Sequence, residues 1–157
     1  MKNKIFLLAI FLSIAFNGFS QFKTYQFNQL DSLQAIAKKP VLVLMHTEWC
    51  QYCAAMMNAA RTNSNLYEVL NKDFYLILLD AEDRNNIEFN GQTYRYKPNG
   101  LNNGFNELAI ELTKGRGGLV FPNLIFLDDK YKVVYHYASY LKPKDFINLL
   151  IDFKNKF

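Results

Sequence analysis

The sequence predicts an α/β domain, a central mixed sheet flanked by helices, and three observations carry that prediction. Two continuous apolar runs, 41–45 and 74–79, lie either side of an Ala- and Met-rich helical stretch, the pattern of buried parallel strands joined by a crossover helix. Two further strand-like runs, 123–127 and 132–138, are joined by the turn Asp128-Asp129-Lys130, which makes them an antiparallel hairpin. Pro143 then opens a terminal helix with Phe146, Leu149, Leu150 and Phe153 on one face. Parallel strands linked by helices and finished by a hairpin and a covering helix form an α/β sandwich.

Taken in chain order, Asp31 or Ser32 caps a short helix running to about Lys38, with Leu30, Leu33, Ile36 and Ala37 on one side, and Pro40 ends it. The strand 41–45 comes next. A helix starts at Cys50 and runs to about Ala60; Leu66, Val69 and Leu70 show that it continues or restarts after a kink at Asn63-Ser64-Asn65. The second buried strand, 74–79, ends at Asp80. From about 83 to 118 the composition changes. Residues 87–89 and 93–96 flank Asn90-Gly91, a strong short-hairpin signal, and Pro98-Asn99-Gly100 and Asn102-Asn103-Gly104 mark further turns. Residues 107–113 form a modest helix, and Gly115, Gly117 and Gly118 loosen the chain before Phe121-Pro122.

Residues 1–20 read as a signal peptide. Lys2 and Lys4 form a positive start, 5–16 is apolar apart from Ser13, and Gly18 and Ser20 place small residues before a cut ahead of Gln21. The apolar run is shorter than the roughly 20 residues of a spanning helix. The expectation is an exported, periplasmic chain with no stable membrane insertion after cleavage, its domain occupying 21–157. Cleavage removes two lysines, so 16 basic residues face 14 acidic ones and the net charge falls from +4 to +2. With no Lys/Arg cluster, nothing marks a nucleic-acid partner. Half the residues are apolar and 16% aromatic, which supports one packed globule rather than disorder.

The only two cysteines, Cys50 and Cys53, stand two residues apart between the first buried strand and the next helix. Two intervening residues let the sulfurs bond across the first helical turn. That turn also stabilises the first thiolate, because unpaired backbone N–H groups and the helix dipole favour negative charge. Export permits a disulfide to persist. A bridge this local closes too small a loop to matter as a staple, so the pair reads as a site of thiol–disulfide exchange.

Trp49-Cys50-Gln51-Tyr52-Cys53 after the first strand, Phe121-Pro122 before the hairpin and the closing helix together resemble the thioredoxin superfamily. The resemblance implies a thioredoxin-like fold with an insertion, about 83–118, before a cis-proline at Pro122. It implies Cys50 as the solvent-facing nucleophile and Cys53 as the buried resolving thiol, and it places Trp49, Phe121 and Pro122 at the substrate-binding surface. No cofactor beyond the redox-active Cys50–Cys53 disulfide is expected. The implied partners are protein thiols and disulfides and a redox protein that donates or accepts electrons. The insertion resembles those of exported bacterial thioredoxin-like proteins, including relatives of the C-terminal domain of DsbD. Phe89, Tyr94, Tyr96 and Phe105 either pack it onto the body or form a partner surface, and packing is favoured because small hairpins need an apolar face.

The chain also departs from that family. Thioredoxins carry a buried acid near the resolving cysteine and a lysine on the neighbouring strand; alignment puts Leu44 and Leu76 there. Losing both together is physically consistent, since a lone buried charge is costly. Proton transfer then falls to Glu48, the nearest carboxylate in sequence, to His46 or to water, although Glu48 reads equally well as a solvated loop residue. Gln51-Tyr52 brings no positive charge beside the thiols, which favours a reductase or moderate-potential exchanger over a strong oxidant. The alternative is a Cu(I)-handling protein using Cys50 and Cys53 with Met56, Met57 and His46. Against it, adjacent methionines cannot both point at one ion, and Met is a common core filler. No zinc-ligand pattern or phosphate loop is present, and no metal site is expected.

Overall fold

The computed structural model describes residues 22–101 and 103–156; residues 1–20, read from the sequence as a signal peptide, and Asn102 lie outside the described residues. A single turn of 3₁₀ helix at Phe27–Gln29 leads into α1, Leu30–Ile36. Next come β1 (Val41–His46), α2 (Gln51–Thr62), α3 (Ser64–Asp73) and β2 (Tyr75–Asp80). The insertion contributes β3 (Ile87–Phe89), β4 (Gln92–Tyr94), β5 (Tyr96–Pro98), β6 (Gly104–Asn106) and α4 (Glu107–Thr113). β7 (Asn123–Leu127), β8 (Val133–Tyr137) and α5 (Pro143–Lys154) complete the chain.

The main sheet has the order β2-β1-β7-β8. β1 and β2 run parallel, with Leu44 opposite Leu78 and His46 opposite Asp80, while β7 is antiparallel to both β1 and β8. This is the mixed sheet predicted from the apolar runs. Helices cover both faces, so the central strands are buried on both sides, which is why they read as unbroken apolar runs. Alternation along β1 divides its side chains between two cores. Val41, Val43 and Met45 join Leu30, Ile125 and α4's Leu108 and Leu112. Leu42 and Leu44 join Met56 and Ala60 of α2, Leu66 and Leu70 of α3, Phe126, and Phe146 and Leu150 of α5.

Local chemistry explains where elements end. α2 and α3 are separate helices: Asn63 is extended, and its side chain accepts from the Leu66 N–H at 3.0 Å, capping α3. α1 is shorter than expected. Ala37 is already extended, the Lys39 N–H donates to Gln34 Oε1, and Ile36 is left 84% exposed instead of joining the core. The Asn90-Gly91 turn has positive φ at both positions (50° and 74°), as a two-residue hairpin turn demands. β4 ends at Tyr94 rather than 96, because Tyr96 begins a second ribbon, β5–β6, where the sequence predicts only turns. Gly104 faces Pro98 there, and a Cβ on it would lie 2.5 Å from the Lys97 carbonyl and 2.6 Å from the Tyr96 ring. Phe89 packs on Phe27 (4.9 Å between centroids) and Tyr131 (5.3 Å), anchoring the insertion to the body.

Candidate active site

β1 ends at His46, and Thr47-Glu48-Trp49 carry the chain to Cys50, the N-cap of α2. The Cys50 N–H donates to the Thr47 carbonyl at 3.2 Å, and its own carbonyl accepts from Ala54, so the residue is held half inside the helix. Cys50 and Cys53 form a disulfide with their Cα atoms 5.2 Å apart. The Cys53 N–H donates to Cys50 Sγ at 3.1 Å. This is the usual N-cap bond with sulfur in place of oxygen, and it aims a backbone donor and the positive end of the helix at the first sulfur. Cys53 is fully buried, whereas Cys50 keeps 6% exposure. An approaching thiol or disulfide meets Cys50 first.

Aromatic side chains frame the disulfide. Trp49 and Tyr52, within the motif, are 64% and 65% exposed. Trp49 packs edge-to-face on Phe121 (5.9 Å), and Phe105 of β6 also packs against Phe121 (6.2 Å). Tyr52 pairs with Tyr140, from the loop before α5, at 5.5 Å. The Phe121-Pro122 bond is cis, as the resemblance implies, and the Trp49–Phe121 contact brings this segment to the cysteine motif. The indole N–H of Trp49 donates to Glu82 Oε2 at 3.1 Å.

Beneath the motif the site is apolar. Leu44 and Leu76 are each 2% exposed and share a core with Met56 of α2. Across the sheet, Leu44 lies opposite Leu78, and Leu76 opposite Leu42. Met56 is buried in this core and Met57 packs against it, so both act as apolar filler. His46 falls on the same face of β1 as Leu44, half-buried at the strand's end. Glu48 is exposed and lines a cleft of about 470 Å³ together with Trp49, Asp80, Glu82, Asp83, Arg84 and Tyr96. On the opposite face of the sheet from Leu44, Asn123 directly follows Pro122, fully buried, and neither atom of its amide has a hydrogen-bond partner; the nearby Thr47 hydroxyl is likewise unpaired.

The structure thus gathers Trp49, Cys50, Cys53, Phe121 and Pro122 into one place and sets Glu48 at its rim. Sequence reasoning missed Glu82 and Tyr140. Each meets the motif only through a tertiary contact, and neither lies in a local pattern that marks it.

Comparison with known proteins agrees with this geometry. No curated protein sequence matches the chain. A disulphide isomerase from Xylella fastidiosa Temecula1 has a similar structure, with 14% identity, 80% of this chain and 86% of that one covered, and a TM-score of 0.53. A thioredoxin-fold protein from Helicobacter pylori is similar at 15% identity, 87% and 76% coverage and TM-score 0.59. The oxidoreductase DsbH is similar at 13% identity, 87% and 86% coverage and TM-score 0.59. At such identities these neighbours speak for the fold alone. Among the described residues, no helix is long and apolar enough to cross a membrane. The model of the thioredoxin-like domain family matches residues 27–154, and on that match and its Cys-x-x-Cys disulfide the chain belongs to this family as a thiol–disulfide oxidoreductase.

Proposed function

We propose that the mature chain works in the periplasm, reducing or exchanging disulfides of exported proteins through Cys50 and Cys53. The observation that carries this reading is the asymmetry of the pair. Cys50 sits at the helix start with the Cys53 N–H aimed at its sulfur, while Cys53 is fully buried. In the reduced protein the Cys50 thiolate attacks one sulfur of a substrate disulfide, and the other leaves as a thiolate that takes a proton. The Cys53 thiolate then attacks Cys50 Sγ, closing the internal disulfide and releasing the second substrate thiol. Two electrons pass from the protein to the substrate, so a second redox protein must reduce Cys50–Cys53 again; no further cofactor takes part.

The proton of Cys53 leaves without a buried carboxylate, because Leu44 and Leu76 occupy that place. Glu48, exposed one residue before Trp49, takes it through water in this reading. Gln51-Tyr52 places no cation beside Cys50, which supports reduction or exchange over strong oxidation. Equilibration with glutathione tests the direction. A potential between about −180 and −270 mV agrees with a reductase or exchanger, whereas one near −120 mV, that of strong periplasmic oxidants, refutes it. Cell fractionation with N-terminal sequencing of the mature chain tests export.

A further inference from the structure

Two buried polar side chains adjoin the two segments that meet at the disulfide. Asn123 has no exposed surface and Thr47 only 2%. The Thr47 hydroxyl oxygen and both polar atoms of the Asn123 amide lack a hydrogen-bond partner among the described residues. Asn123 directly follows the cis Phe121-Pro122 bond, and the Thr47 carbonyl accepts from the Cys50 N–H at 3.2 Å. Folded proteins rarely leave buried amides and hydroxyls unpaired, because such groups forfeit the hydrogen bonds they make with water in the unfolded chain. Sheet geometry brings the two side chains near each other. Met45 and Asn123 are paired directly across β1 and β7, so their side chains leave the same face of the sheet. Thr47 follows Met45 by two residues and keeps that face as the alternation runs past the end of β1. It is therefore the diagonal neighbour of Asn123, at a separation of about 7–8 Å. Once the hydroxyl and the amide reach toward each other, about 4–5 Å is left between their polar atoms, the span of two hydrogen bonds meeting at one oxygen.

We propose that Thr47 and Asn123 together bind one internal water, which ties the Pro122 segment to the loop that carries Cys50. The donor set selects water over an ion. A neutral amide supplies donors and an acceptor, a hydroxyl supplies one donor and accepts as well, and water matches both while bringing no charge. A buried water makes two to four hydrogen bonds, and these three atoms supply enough partners. Met45, Ala81 and Ala109 belong to the core on this face and have no exposed surface, so the site is shut off from bulk solvent. The Trp49–Phe121 ring contact joins the same two segments at the surface; the water joins them below it. Thr47 and Asn123 are thus positioning residues, which act on the reaction through the placement of Pro122 beside the cysteine motif.

Rotating-frame cross-relaxation between water and the isotope-labelled oxidised protein tests the site. The Asn123 side-chain NH₂ should receive through-space transfer from a long-lived water, with the sign that distinguishes it from proton exchange. That signal should vanish in Thr47→Val, which keeps the side-chain shape without the hydroxyl, and persist in Thr47→Ser. No such signal in the parent, or one unchanged in Thr47→Val, overturns the inference; the parent measurement decides even where a variant does not fold. Urea unfolding reads the same bridge as a coupling. Asn123→Leu should lower the midpoint less in the Thr47→Val background than in the parent, because the bridge it removes is already broken. Equal shifts in the two backgrounds overturn the shared water. The positioning role has its own readout. Thr47→Val should raise the KM for insulin and Thr47→Ser should restore it, while the pH at which Cys50 is alkylated stays unchanged. An unchanged KM, or a shifted alkylation pH in Thr47→Val, overturns that role. Each of these outcomes leaves the proposed function standing, which falls only if the parent fails to reduce insulin.

Discussion

Replacing Leu44 with Asp restores a carboxyl at the position where thioredoxins bury one, but without a lysine opposite, and the packing around it makes that substitution costly. Leu44 is 2% exposed, opposite Leu124 on β7 and Leu78 on β2, in the core shared with Met56. Losing the leucine side chain forfeits about 1.5–3 kcal/mol of burial. Placing even a neutral carboxyl there without partners adds about 1–3 kcal/mol. The sum, about 2.5–6 kcal/mol, is a large share of the roughly 5–15 kcal/mol that holds a typical domain folded. It also depends on pH. Burial holds the carboxyl protonated in the folded protein above the pH at which it ionises in the unfolded chain, so the folded state binds more protons. The variant is therefore relatively most stable below the ordinary carboxylate range. Its stability falls as pH rises through that range, until the folded form also ionises. Leu44→Asn supplies the same shape without the titration. Urea unfolding of both variants at pH 4.5 and pH 8 reads the difference: Leu44→Asp should lose stability relative to Leu44→Asn on going to pH 8, and adding Leu76→Lys should recover part of it. A Leu44→Asp protein as stable as the parent at pH 8 would show that water reaches this place and refute the account of a dry floor beneath the cysteines.

In the reduced protein, the Cys53 N–H and the helix start should stabilise the Cys50 thiolate by about 1.5–3 kcal/mol, raising its acid dissociation constant about ten- to a hundredfold; alkylation with iodoacetamide across pH should show Cys50 reacting below the ordinary thiol range and Cys53 protected. Burial, and then the 2.6 Å hydrogen bond it donates to Asp31, hold the Tyr131 phenol protonated far above its ordinary range. Because the unfolded chain loses that proton above about pH 10 while the folded one keeps it, this contribution is complete below pH 10 and declines above. Tyr131→Phe should cost about 1 kcal/mol at pH 7, and its deficit relative to the parent should narrow in denaturant unfolding at pH 10.5–11. Gly104→Ala should destabilise by about 1–3 kcal/mol, because its Cβ meets the Lys97 carbonyl and the Tyr96 ring; unfolding curves indistinguishable from the parent would show that β5–β6 has room to shift.

The sheet was legible in the sequence where burial leaves a mark on composition. β1, β2 and β7 lie under helices on both faces, so each is a run of Val, Leu and Ile that no solvated segment would carry. The Asn90-Gly91 hairpin was legible because positive φ at two successive residues restricts the side chains allowed. Cys50, Cys53 and Pro122 were legible through their order and setting. Contacts between distant segments left no such mark. Ile36 continues the apolar spacing of α1, yet the helix stops beneath it because Gln34 turns back to the Lys39 backbone. The β5–β6 ribbon has little alternation, and Gly104 fits the Tyr96 ring rather than a turn rule. Glu82 reaches Trp49 across 33 residues.

Trapping with the Cys53→Ser variant tests the central claim most directly. Reduced Cys53→Ser protein, mixed with oxidised insulin, should accumulate a mixed disulfide joined through Cys50, because the attacking thiol is present and the resolving one is gone, while Cys50→Ser should neither form the adduct nor reduce insulin. An adduct through Cys53 in the Cys50→Ser variant, or insulin reduction at the parent's rate by either variant, would contradict the assignment of a nucleophile at the helix start and a buried partner that resolves it.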